Sequence, residues 1–178
     1  IGHATEKIRA VITIYNSKSA YENLQVYYDN FTKVGKIVAT LYDEKGKKIR
    51  SIGKSEVDDY AAYDGFSIYN DSRFKHVDFT YGTYPYTIEY EYEVEHDGLQ
   101  SYASWHPQQY KTGVEKSTFE LILPSQMDFR HQSFNINDTP KISKTDQQKS
   151  YRWNLENLVV VTRETYTPVT YQPLPVVY

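Results

Sequence analysis

Residues 84–95 read YPYTIEYEYEVE, and from Thr87 the chain alternates without a break. Ile88, Tyr90, Tyr92 and Val94 fall on one parity, while Thr87, Glu89, Glu91, Glu93 and Glu95 fall on the other. Successive side chains of a strand point to opposite faces, so this register predicts a strand with one face in a core and the other in water. Strand-length runs rich in β-branched and aromatic residues recur along the chain. They are ATEKIRAVITIYN (4–16), ENLQVYYDNF (22–31), KVGKIVATLYD (33–43), FSIYN (66–70), FKHVDFTY (74–81), STFELILP (117–124), MDFRHQSF (127–134), KSYRWNL (149–155) and LVVVTRETY (158–166). Asp43-Glu44-Lys45-Gly46 predicts a hairpin, with Gly46 supplying the positive φ of a short loop, and His96-Asp97-Gly98 predicts a second. The one helix signal is Ser55 to Gly65, where Ser55 is placed to cap a short turn and Gly65 to stop it. Many short strands with turn residues between them predict an all-β chain: an antiparallel β-sandwich of roughly ten to twelve strands with at most one short helix.

A chain of 178 residues with 8 Gly and 7 Pro is expected to form one such domain, over 1–165. The polar stretch NINDTPKISKTDQQKS (135–150) reads as a long hairpin or loop, having too few apolar residues to anchor a core strand. In the last segment, 166–178, Pro168, Pro173 and Pro175 bar a helix and a central strand, which predicts an extended run. So apolar a segment is expected either to lie on its own domain or to lead into a following one.

Composition alters this picture at three points. Tyrosine is unusually abundant, 19 against 7 Phe and 2 Trp, which suits half-buried strands whose rings carry a hydroxyl toward water or a partner. A net charge of −3 exerts no broad pull on nucleic acid or anionic lipid, and no basic groove accompanies the tyrosines, so no nucleic-acid partner is expected. The cluster Lys45, Lys47, Lys48, Arg50 and Lys54 reads as the solvated edge of the first hairpin rather than a phosphate site. The absence of cysteine excludes disulfides, thiolate nucleophiles and thiolate metal sites. No apolar run is long enough to cross a membrane as a helix. The opening IGHATEKIRAV has no signal-peptide pattern and begins with Ile, which reads as a trimmed or processed fragment, any targeting signal being expected upstream of it.

Alternate residues of a strand stand about 6.5–7 Å apart, a separation compatible with the paired carboxylates of an inverting glycosidase. Acid–base catalysis, however, needs its two carboxyl groups in different environments, and four glutamates in a flat row share one. The row is therefore expected to be the wetted side of a strand, discouraging edge-to-edge pairing. Other motifs lack their context. Gly46 to Ser55 has the wrong glycine spacing for a phosphate loop and lies in a strand pattern. The histidines, His3, His76, His96, His106 and His131, are scattered, and Asp58-Asp59 and Asn135-Ile136-Asn137-Asp138 do not follow a calcium loop. No catalytic residue, metal site or cofactor is expected. Tyr102, Trp105 and Tyr110 are the strongest candidate binding residues, since exposed rings on a β-sandwich can stack on sugars. The favoured reading makes Trp105 a plug of the core; a carbohydrate-binding module is the alternative.

Ile68-Tyr-Asn-Asp-Ser-Arg-Phe74, Tyr84-Pro-Tyr-Thr-Ile-Glu-Tyr90, Ser104-Trp105, Ile122-Leu-Pro124, Tyr151-Arg-Trp153-Asn and Arg163-Glu-Thr-Tyr-Thr-Pro168, followed by Pro173-Leu-Pro175, form an ordered set. In that order they resemble a bacterial domain of unknown function that sits directly N-terminal to a transglutaminase-like core in exported or envelope proteins. The resemblance runs from about residue 8 to residue 178. It implies an all-β domain, an extracytoplasmic location, periplasmic or cell-surface, and a neighbouring domain that uses Cys, His and Asp. It assigns no active-site residues to this chain. The expected function is a noncatalytic accessory module of a larger transglutaminase-like protein. Its expected partners are that neighbouring domain and a cell-envelope protein or polysaccharide. The interdomain contact is expected at Glu164, Tyr166, Pro168, Tyr171, Pro173 and Pro175. Trp153 is expected in the core beside Val159-Val160-Val161, Pro85 is expected to set the start of the acidic strand, and Glu164 to bond backbone groups of the exit segment.

Overall fold

The computed structural model describes residues 2–62, 71–98, 104–137, 139–163 and 173–178. Thirteen strands and two single-turn 3-10 segments make up the regular structure among these residues, and every strand pair is antiparallel. The all-β expectation holds. The chain divides into two compact units, Ile1–Gln100 and Ser101–Tyr178, where the sequence reading drew one sandwich over 1–165.

The first unit contains β1 (His3–Ile14), β2 (Asn23–Tyr28), β3 (Thr32–Val34), β4 (Val38–Tyr42), β5 (Lys48–Ile52), β6 (Asp58–Ala61), β7 (Arg73–Asp78) and β8 (Tyr86–Asp97). One sheet runs β1-β8-β4-β5, with β3 pairing the far end of β8 along the edge it shares with β4. A second sheet runs β2-β7-β6. Their inner residues form one core that includes Ile14, Leu24, Val26, Leu41, Val77 and Ile88. The alternation of β8 is realised as read. Tyr86 and Ile88 are fully buried, Val94 nearly so, and Tyr90 and Tyr92 pack against the same core, while Glu91, Glu93 and Glu95 are exposed.

The first predicted hairpin joins β4 to β5. Gly46 takes φ +76°, its N–H donates to the Asp43 carbonyl, and Asp43 Oδ1 accepts from the N–H groups of Lys45 and Lys47. The predicted run 33–43 is interrupted at Gly35, whose N–H reaches the Glu93 carbonyl at 2.8 Å, so β3 and β4 are separate strands on one edge of β8. Two other expectations are corrected. Over the described part of 55–65, which ends at residue 62, no α-helix forms: a 3-10 turn, Lys54–Glu56, is followed by β6, because Tyr60 and Asp59 find partners on neighbouring strands. The second hairpin does not form either. Gly98 does take φ +105°, but β8 pairs with β1, β3 and β4, and the next strand among the described residues belongs to the second unit.

That second unit contains β9 (Val114–Pro124), β10 (Ser133–Phe134), β11 (Lys141–Lys144), β12 (Gln148–Leu158) and β13 (Val176–Val177). A three-stranded sheet runs β11-β12-β9, and β10 pairs with β13. The polar stretch 135–150 is a hairpin in part, with β11 turning into β12 through Thr145 and Gln148. Trp153 is buried as expected, but its ring neighbours are Phe119, Phe129, His131 and Tyr151. Val159 and Val160 lie beyond β12 and are 80% and 56% exposed, so they are not its packing partners.

Candidate functional site

The outer face of the larger sheet carries the acidic row, and its chemistry follows from strand register. Lys7 stands opposite Glu93, and Arg9 opposite Glu91, across β1 and β8. Lys7 Nζ lies 2.7 Å from Glu93 Oε1, and Arg9 reaches diagonally to donate to Glu89 Oε1 at 2.5 Å. From the other side Tyr42 donates its hydroxyl proton to Glu89 Oε2 at 3.1 Å. His3 Nδ1 and Asp97 Oδ1 are 3.3 Å apart at the end of the same ladder. The bond from Arg9, then that from Tyr42, holds the Glu89 carboxyl below the usual carboxylate range; Glu89 in turn raises Arg9, and Glu93 raises Lys7.

A carboxyl that acts as a general acid near neutrality is pushed the other way, by desolvation. Glu89 therefore has the electrostatics of a cross-strand ion-pair partner. Among the described residues no group of three or more His, Asp or Glu side chains is placed to hold a metal ion. Replacing Glu91 and Glu93 together by glutamine is expected to leave the thermal midpoint within about 2 °C of the parent, since solvent-exposed pairs contribute little. A loss several times larger, read by circular dichroism, would give this face a role its exposure does not suggest.

The smaller sheet of the first unit presents an aromatic stripe that sequence reading missed. Tyr27, Phe74 and Tyr60 lie in register across β2, β7 and β6. Their ring centroids are 5.4 and 5.5 Å apart, and Tyr27 and Tyr60 are exposed. The period of two places Tyr27 and Phe74 on outward parity, but Tyr60 falls in the segment read as a helix, so the stripe could not be assembled from sequence. On the opposite parity Tyr28 donates to both oxygens of Asp59, and Arg73 Nε donates to Asp59 Oδ1 at 2.9 Å. These bonds, Tyr28 first, hold the Asp59 carboxyl below its ordinary range against an opposing desolvation.

Of the three residues proposed to stack on sugar, Tyr102 lies outside the described residues. Trp105 and Tyr110 are half-buried. Trp105 is joined to Val177 by two backbone hydrogen bonds, and its ring stacks on Phe119, which in turn stacks on the buried Trp153. That chain of rings makes Trp105 part of the packing of the second unit. Among the expected interdomain residues, Glu164, Tyr166, Pro168 and Tyr171 also lie outside the described residues. Pro173 is half-buried and Pro175 buried, and the adjoining Leu174, Val176 and Val177 are buried apolar residues, with Val176 and Val177 forming β13. Pro85 follows a cis peptide bond and immediately precedes β8.

The chain is thus an all-β protein of several antiparallel sheets, with its charged ladder committed to cross-strand pairing. It belongs to the family DUF3857, a domain of unknown function with a solved structure, which matches residues 2–162. No curated protein matches the chain. A crystal structure of a protein from Parabacteroides distasonis ATCC 8503, described as a "putative protease", is similar in fold, with a TM-score of 0.78 and 16% sequence identity. The similarity covers 97% of this chain but 36% of that one, so this chain spans about a third of the length of the neighbour it resembles.

Proposed function

We propose that the chain is a noncatalytic accessory module of a larger exported protein, one that brings a protein substrate or a neighbouring domain to a transglutaminase-like or proteolytic core. The observation that carries this reading is the commitment of the acidic row. Glu89 and Glu93, which flank Glu91 at the alternate spacing of the row, are held by Arg9, Tyr42 and Lys7 on an open sheet face. A larger parent accords with the neighbour whose length this chain spans only in part. An envelope location and a Cys-His-Asp core remain part of the proposal, on the strength of the ordered motifs around Tyr84-Pro85, Trp153 and Pro173.

The interdomain contact is proposed on the segment from Glu164 to Pro173 rather than on Pro175, which is buried. Deleting 166–178 would remove Leu174, Val176 and Val177 from the interior and is therefore a poor probe of contact. The informative comparison is between the parent catalytic core with and without this module. Tethering a recognition module raises the effective concentration of its substrate. The core alone is expected to keep its turnover of small substrates while its kcat/KM on protein substrates falls about tenfold. Hydrolysis or transamidation by the isolated 178-residue chain, or a core indifferent to the module's presence, would defeat the reading.

A further inference from the structure

We propose that a lysine-rimmed hollow in the first unit binds a small organic anion with a short aliphatic body, a carboxylate or a phosphate monoester. The proposal is independent of the accessory reading above. The hollow has a volume of about 320 Å³ and is lined by Val34, Gly35, Lys36, Ile37, Lys54, Val57 and Lys75. That volume lies at the lower end of the range for small-ligand sites, which pair a largely apolar lining with a few polar groups that fix orientation. Ile37 is buried, and Val34 and Val57 are half-buried, so an apolar floor exists.

Lys75 is the unusual member. It lies on the core-facing parity of β7 with Val77, opposite Val26 of β2, where an apolar side chain is the expected occupant. Its ammonium donates to the Val34 carbonyl at 3.2 Å, which ties it to the wall of the hollow and leaves N–H donors to spare. Lys36 and Lys54 are exposed and form no ion pair among the described residues.

The nearby carboxylates are already engaged. Glu56 pairs with Arg50 and accepts from the Gly53 N–H at 2.8 Å. Asp59, directly across from Lys75, spends its hydrogen bonds on Tyr28 and Arg73, and the charge of Lys75 is the least of the groups acting on it. The side chain of Glu93, whose backbone carbonyl binds Gly35, is paired with Lys7. Three like charges around one apolar hollow, with the local acids taken elsewhere, is an arrangement complementary to an anion. The floor selects an anion with hydrocarbon attached, because the stems of long cationic side chains extend its apolar surface while their heads meet the charge.

Titration of the full 178-residue chain, followed by backbone amide resonances, tests this with four probes: hexanoate, hexyl phosphate, hexanol and inorganic phosphate. Saturable shifts are expected at residues 34–37, 54, 57 and 75 with hexanoate, hexyl phosphate or both, and the preferred head group identifies the anion's source. Hexanol and inorganic phosphate should each bind about tenfold more weakly, having only half of the required chemistry. Lys75→Gln, which keeps the stem, should weaken the hexyl anions about tenfold. Should that variant fold poorly, the exposed pair Lys36→Gln and Lys54→Gln carries the same test. Equal binding of inorganic and hexyl phosphate, shifts centred elsewhere, or affinity unchanged in the lysine variants would each overturn the proposal.

Discussion

Trp153→Ala is expected to destabilise the chain by about 3–5 kcal/mol, the loss typical of truncating a large buried aromatic residue. Trp153 is 1% exposed at the middle of β12, the central strand of its sheet, opposite Phe119 of β9. Phe119 stacks on it at 5.6 Å and joins it to Trp105, while Phe129 and His131 meet it edge-on at 6.4 and 5.2 Å. An alanine there leaves a cavity walled by rings that cannot all collapse inward, because the backbones of Phe119 and Tyr151 are fixed in the ladder. The indole Nε1 is buried and has no hydrogen-bond partner among the described residues. Trp153→Phe thus removes an unsatisfied donor along with part of the volume, and should cost only about 1–2 kcal/mol. Denaturant unfolding of the two variants checks the ordering. If alanine costs no more than phenylalanine, the ring cluster is not the core of the second unit.

The same cluster shows what a single sequence can disclose. The burial of Trp153 was readable because β12 alternates over KSYRWNL, and a local period fixes which face a residue occupies. Its partners were not readable. Val159-Val160-Val161 resembles a core strand in composition, yet β12 ends at Leu158, Val159 and Val160 are left largely to solvent, and Val161 is half-buried. Composition reports what a segment tolerates, whereas the choice of neighbour is made by pairings far along the chain.

His96-Asp97-Gly98 failed for a related reason. Gly98 does take the positive φ that a turn favours, but a turn residue does not say whether the next strand folds back on the last one. The division into two units was invisible on the same ground. Residues 55–65 carried a capping signal and still yielded β6, where Asp59, Tyr28 and Arg73 form a network spanning three strands. The inward lysine at position 75 was legible only as one residue of a strand; its hollow is assembled from β3, β7 and the turn at Lys54, which no local pattern connects. The acidic row, by contrast, was decided by one strand's own periodicity, and register added only the names of its cationic partners.

Alkaline pH is expected to unfold the first unit from its tyrosines. Tyr86 is fully buried, and burial, followed by its hydrogen bond to Glu22, pushes its phenol far above the ordinary tyrosine range. Tyr84 and Tyr86 donate to the same Glu22 oxygen at 2.7 and 2.9 Å, so ionisation would set phenolate against carboxylate. Burial also raises Tyr90, which stacks between Phe79 and Tyr92, and takes Tyr92 up to about 12.

A group whose folded pKa exceeds its unfolded value keeps its proton longer in the native state. Its contribution is complete below pH 10.0 and is lost as pH climbs through the folded value. For Tyr92 the window runs from 10.0 to about 12, with a loss of about 3 kcal/mol, and Tyr86 extends the decline further. Surface ion pairs such as Lys7 with Glu93 dissolve in the same range, so a difference measurement is required. Tyr92→Phe removes one titrating core phenol and leaves those pairs in place. Its unfolding free energy should fall less steeply than the parent's between those pH values, with one late-titrating phenolate missing from the ultraviolet absorbance. Parallel curves for parent and variant would mean that Tyr92 ionises without penalty, and that the inward parity of β8 is wetter than its burial indicates.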